Sequence, residues 1–149
     1  MADHVSTFAA ARRMCERSDW TLTNLELQKM LYLAQMMFMG THGGERLLNG
    51  TFEAWDYGPV IPVLYSQVKA FGSGPIKDVF FGVGEVKNPD RAKMLDDAYD
   101  QLSKKTAGQL VSITHWNNGA WAKHYRPSVL GMTIPDADIL QEYRDRAHG

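Results

Sequence analysis

Cysteine is nearly absent, with Cys15 alone among 149 residues. No intramolecular disulfide can form, so a packed core must hold the fold, and the usage fits a reducing cytoplasm. Long hydrophobic runs are missing too: the most apolar stretch, Met30 to Met39, is about half the length a membrane helix requires. Neither charge dominates. The 16 basic and 17 acidic residues give a formal net charge of −1, which supplies no overall basic surface to displace counterions from nucleic acid. Met1-Ala2-Asp3-His4 lacks the basic start and apolar run of a signal peptide. Repeats, low-complexity tracts and Pro/Gly-rich linkers are also lacking. The expectation is a soluble, cytoplasmic, single domain over residues 1–149, with neither membrane nor nucleic acid as partner.

What is present reads mainly as helix. A first helix is expected from about Asp3 to Arg17, with Val5, Phe8, Ala9 and Cys15 near one side. Ser18-Asp19-Trp20 breaks it. The second helix has the clearest start: Thr23 and Glu26 have capping-box spacing, and Leu22 and Leu27 occupy the flanking staple positions. From Met30 to Met39 only Gln35 is strongly polar, as in the buried centre of a bundle. Gly40 and Gly43-Gly44 are expected to end it.

Phe52 to Tyr57 then predicts a short extended segment. Gly58-Pro59 reads as a turn, and Pro62 as the first turn of a third helix with Val60, Leu64, Val68 and Phe71 inward. Residues Ser73 to Val86 read as loop, with room for a short strand at Val79 to Val83. Asn88-Pro89-Asp90 opens a helix with Ala92, Leu95, Tyr99 and Leu102 inward. Thr106 and Gln109 repeat the capping box, Asn117-Asn118-Gly119 is a turn, and Ile134-Pro135-Asp136 opens a last helix. The fold class is mainly α, about six helices with at most a small strand element.

Enzyme signatures are weak. His115 and His124 lack the spacing of a helix-face metal pair and no CxxC exists, so no metal is expected. Gly82 and Gly84 make a bare GxG without the rest of a dinucleotide fingerprint, so no cofactor is expected. Asp96, Asp97 and Asp100 read as a solvated helix face. Cys15 lies on an apolar stripe, where a small buried hydrophobe is the plain reading. A hydrolase using Cys15 with His115 or His124 stays as an alternative. The segment Thr106–Trp116 offers few polar groups and no basic residue for a recognition helix. The aromatics Tyr32, Trp55, Tyr57, Tyr65, Trp116 and Trp121 suit a core, and as a group also suit a protein interface.

The run Leu22 to Gln35, LTNLELQKMLYLAQ, resembles the start of the Panacea domain of the SocA-like antitoxin family, usually LTNLKLQKLLYYAQ. Glu53 to Pro62, EAWDYGPVIP, is similar to that family's EAWxYGPVxP. The resemblance is strongest over residues 22–72. It implies a non-enzymatic helical antitoxin that neutralises a toxin, encoded by the adjacent gene, through direct binding. In one branch it implies an adaptor that delivers the toxin to an AAA+ protease. Phage-associated relatives add the alternative of a phage or mobile-element protein that binds a host factor. Leu27, Leu31, Ala34 and Val60 match family core positions. The candidate partner-binding or signature residues are Gln28, Lys29, Tyr32, Trp55, Tyr57, Gly58, Pro59 and Trp121. Trp55 and Tyr57 are expected to pack on the central helix, while Gln28 and Lys29 either reach solvent or bond to the Tyr57–Pro59 turn. The chain departs from the pattern at Gly119-Ala120-Trp121, where proline often precedes the tryptophan, and in the methionine-rich run Met36 to Met39. The first helix and the region Ser73–Pro89 are where specificity has room to vary.

Overall fold

A computed structural model of the chain describes residues 4–129 and 131–148. In chain order it contains α1 (Thr7–Arg17), α2 (Asn24–Thr41), β1 (Glu53–Trp55), β2 (Gly58–Val60) and α3 (Pro62–Val68), which runs into a 3-10 turn (Lys69–Phe71). Then come α4 (Pro89–Leu102), α5 (Ala107–Thr114), α6 (Ala120–His124) and α7 (Asp136–His148). The helix beyond the expected six is α6, whose 5 residues are too few for a helical period to register.

Local chemistry explains why α2 starts where it does. Thr23 Oγ1 accepts from the Glu26 amide at 3.3 Å, and Glu26 Oε1 accepts from the Thr23 amide at 3.0 Å. Leu22 and Leu27 are both buried beside that first turn. Thirteen of the helix's 18 residues are buried, which makes it the axis of the fold. It packs against α1, α4, α5, α7 and β2. Complete burial of a large apolar side chain contributes roughly 1.5–3 kcal/mol, and Leu27, Met30, Leu31, Phe38 and Met39 are each at most 1 % exposed. Gly40 does not end this helix. It lies inside the last turn, where a Cβ would overlap the ring of Tyr143 from α7. The chain turns away at Gly43 and Gly44, which have positive φ.

Polar side chains on so buried a helix need partners, and four of them find partners on other elements. Gln28 Oε1 accepts from the Ile61 amide at 2.9 Å. Lys29 Nζ donates to the Pro59 carbonyl at 3.2 Å. The Tyr32 hydroxyl donates to Glu142 Oε1 of α7 at 2.6 Å. Gln35 Oε1 accepts from the Leu47 and Leu48 amides at 2.9 and 2.8 Å. Each bond both satisfies a buried group and fixes a neighbouring segment.

The β1–β2 hairpin pairs Glu53 with Val60, Ala54 with Pro59 and Trp55 with Gly58. Its two-residue turn is Asp56-Tyr57, so Gly58-Pro59 are the start of the return strand and not the turn expected from sequence. Pro59 is tolerated because its partner Ala54 directs its own amide outward, to the Met132 carbonyl at 2.9 Å. The segment around Thr133 thus covers the free side of β1. No strand forms at residues 79–83. With both sides of β1 taken, that region stays irregular and inserts Phe80, 1 % exposed, beside Phe8 and Trp20.

α1 begins at Thr7, capped by Ser6. Val5 precedes it and bridges to Leu48 instead of joining the helical stripe; Asp3 lies outside the described residues. Asp19 and Trp20 both adopt positive φ where the helix stops. α4 buries Arg91, Leu95, Ala98 and Leu102, leaving Ala92 and Tyr99 at the edge of the expected face. Its acidic row is not simply solvated. Asp96 accepts a two-bonded fork from Arg13 at 2.9 and 2.8 Å, and Asp100 accepts one from Arg17 at 2.8 Å twice. These forks strap α4 to α1. One apolar core runs through all seven helices of the described residues. No helix among them is long and apolar enough to cross a membrane.

Candidate partner-binding site

Six of the eight residues singled out from sequence are structural supports. Gln28 is 1 % exposed and Lys29 0 %; Lys29 bonds to the Tyr57–Pro59 segment, the second of its two expected destinations, while Gln28 reaches past it to the Ile61 amide. Tyr32 is fully buried on Glu142, and its hydroxyl is pushed well above the ordinary tyrosine range, first by burial and then by that carboxylate. Gly58 has φ +113°, and an added Cβ would stand 2.7 Å from Lys29 Cε. No side chain fits there. Pro59 supplies the carbonyl that Lys29 meets.

Trp121 supports the hairpin from the other side. Its indole Nε1 donates to the Trp55 carbonyl at 2.7 Å. The ring stacks on His115, 3.8 Å away and nearly parallel, and on Tyr125, 4.6 Å away. Tyr125 donates its hydroxyl to Asp56 Oδ1 at 2.6 Å, a bond that holds the tyrosine pKa above its usual value. Gly119 is needed beside this stack. A Cβ there would approach Glu142 Oε1 to 2.9 Å, and the same oxygen accepts the Ala120 amide at 2.9 Å.

The two remaining residues, Trp55 and Tyr57, face outward. The ring of Trp55 meets Tyr65 of α3 edge-on, with centroids 4.9 Å apart. Tyr57, on the turn, is 70 % exposed. Between this tip, the first turns of α2 and the end of α3 lies a groove of about 500 Å³. Leu25, Trp55, Tyr57, Val60 and Tyr65 line it, with Lys29, Asp56 and Lys69 among its charged groups. A depression of about 700 Å³ between His4 and Asn88 is larger, but holds none of the eight residues. Lys69 was not among the sequence candidates. The signal for it is the four-residue spacing from Tyr65, which puts both on one side of a helical turn.

Burial is the main electrostatic force here. It pushes the Lys29 amine down to about 7. It also lowers His115, with the charge of Lys29 as the second cause. The alternative hydrolase reading lacks an activated nucleophile: Cys15 is fully buried and burial pushes its thiol up to about 12. Neither histidine is among the groups that act on that thiol, which are Asp78 and Glu16. His124 is bonded to Asp138 at 2.6 Å and His115 is stacked on Trp121.

The sequence that carries these motifs matches known proteins. The family model for the antitoxin SocA-like, Panacea domain matches residues 27–122. Antitoxin SocA of Caulobacter vibrioides (strain NA1000 / CB15N) is 34% identical over 113 residues, covering 69% of this chain. The chain spans 60% of that relative's length. No solved structure matches significantly. Residues 27–122 hold the buried polar helix, the supported hairpin and the Trp121 stack, and the chain that carries them belongs to the SocA-like antitoxin family.

Proposed function

We propose that this protein is a cytoplasmic antitoxin that neutralises a toxin, encoded by the adjacent gene, through stoichiometric binding without turnover. The aromatic hairpin tip and its groove form the contact. The observation that carries the reading is the exposure of Tyr57. The supporting residues around it are buried and hydrogen-bonded, yet this large aromatic is 70 % exposed on a tip held from two sides. Aromatic anchors next to a concave surface are the usual hot spots of protein interfaces. The protein's nearly balanced charge suits a contact set by local complementarity.

Co-expression with the product of the adjacent gene tests this directly. Growth should be restored, and the two chains should co-purify at equal molar amounts. Toxicity that persists with both proteins present and no complex formed sinks the reading. A chase of the toxin's half-life measures the adaptor component: delivery to an AAA+ protease shortens it when the antitoxin is present, whereas simple sequestration leaves it unchanged.

A further inference from the structure

The groove beside the hairpin tip carries both signs of charge. Asp56 and Lys69 are exposed and line it together, yet neither is spent on an ion pair among the described residues. Asp56 Oδ1 accepts the Tyr125 hydroxyl, a neutral partner, and Lys93 is the one lysine that meets a carboxylate. Lys29, on the floor, is sealed beneath the hairpin on the Pro59 carbonyl. The charges that an arriving surface meets are therefore Asp56 and Lys69. The walls it meets are Leu25, Trp55, Val60 and Tyr65.

This mixed rim selects its occupant. A purely acidic surface is repelled by Asp56 and a purely basic one by Lys69. A matching surface brings a base opposite Asp56, an acid opposite Lys69 and an apolar side chain for the slot. The chain's own hairpin face presents all three: Lys69, Asp56 and Tyr57, which is 70 % exposed on the turn. A projecting side chain next to a recess is also the arrangement that closes on itself about a two-fold axis, because each copy supplies what the other receives.

We propose that a second copy of this chain occupies the groove, in a two-fold dimer where Tyr57 of each protomer enters the slot of the other and Asp56 of each faces Lys69 across the axis. Two aromatic anchors and two solvent-exposed ion pairs make a small contact, so the dimer is weak, with a dissociation constant on the order of 10–100 μM. At a few micromolar the chain is monomeric, and at higher concentration the dimer covers the aromatic tip. One consequence rests on the antitoxin reading above: dimer and toxin complex share a face and exclude each other, so the toxin takes the chain as a monomer.

The test uses the full chain alone, by sedimentation velocity from about 5 to about 500 μM, which brackets that constant, and by NMR on a sample mixed from 13C-labelled and unlabelled protein. The sedimentation coefficient should rise with concentration toward that of a dimer. Isotope-filtered NOEs should join the Tyr57 ring of one copy to the Leu25 and Val60 methyl groups of the other. Tyr57→Ala should weaken association by about thirtyfold or more, as loss of an aromatic anchor does. Lys69→Glu, on the exposed rim, sets acid against acid at both pairs and should weaken it by about tenfold. Adding Asp56→Asn, which keeps an oxygen for the Tyr125 hydroxyl, should then recover most of that loss, a coupling that independent structural effects of the two changes do not give. A chain that stays monomeric throughout, a dimer that Tyr57→Ala leaves unchanged, or a Lys69→Glu loss that Asp56→Asn does not relieve would overturn the proposal. No toxin enters these measurements, so a failed growth rescue and a failed dimer remain distinguishable.

Discussion

Lys29 shows how one residue sets a property of the whole chain. Its amine is fully buried and its pKa falls to about 7, against about 10.4 in an unfolded chain. Below the folded value both states hold the proton, and pH has no leverage through this group. Between the two values the unfolded chain binds a proton that the folded chain has released, so stability rises with pH. Cys15 acts in the opposite direction at higher pH, because its thiol is held near 12 and the unfolded chain ionises first. The clean window is therefore about pH 6.5 to 8.5. Urea denaturation across it should show the wild type gaining stability while Lys29→Met stays flat by comparison. Parallel curves would show that the amine does not titrate in the folded protein. In the sequence this lysine stands out as a polar group on a mostly apolar helix. Solvent and the Tyr57–Pro59 turn stay equal destinations for it in the sequence, because Pro59 lies 30 residues on and its carbonyl is aimed by the hairpin's pairing.

At the scale of elements, the same division explains what could be read in advance. The start of α2, the Asn88 cap of α4 and the Thr106 capping box were legible because each is settled within four residues of chain. The strand sense of Gly58-Pro59 was not, because it depends on which edge of β1 remains free. The docking of α7 was equally hidden. It depends on Glu142, 0 % exposed, which accepts from Tyr32 at a separation of 110 residues, from Ala120, and from Arg146 at 2.8 Å. Removing one partner from a buried charged network leaves the others unpaired, so Glu142→Ala should lower the unfolding free energy by about 3–5 kcal/mol. Chemical denaturation checks the magnitude, and hydrogen exchange should show α7 losing protection before α2. A loss below 1 kcal/mol, on the order of an ordinary surface pair, would mean that the network does not hold α7.

The whole molecule separates support from contact. Buried signature residues such as Gln28, Lys29, Tyr32 and Trp121 identify the family because the fold needs them, and for that reason they say little about the partner. Tyr57 is their complement. Tyr57→Ala removes a mostly solvated side chain, so the thermal midpoint should stay within about a degree or two, as for a change of a few tenths of a kcal/mol. Affinity for the proposed toxin partner should fall by about 2 kcal/mol, some thirtyfold, read by calorimetry and by failed growth rescue. A variant with unchanged affinity would move the contact away from the hairpin.

The hairpin tip is clasped by Lys29 and Gln28 beneath and by Trp121 and Tyr125 behind. A surface so braced loses little freedom when a partner arrives, so less of the contact energy is consumed in ordering it. It also has little capacity to remould itself around a new shape. Within such a lineage, adapting to a different partner is expected to proceed by exchanging the residues displayed at positions 57, 65 and 69 while the clasp stays as it is. Recognition can then diverge at the rate of single surface substitutions, without the fold being renegotiated each time.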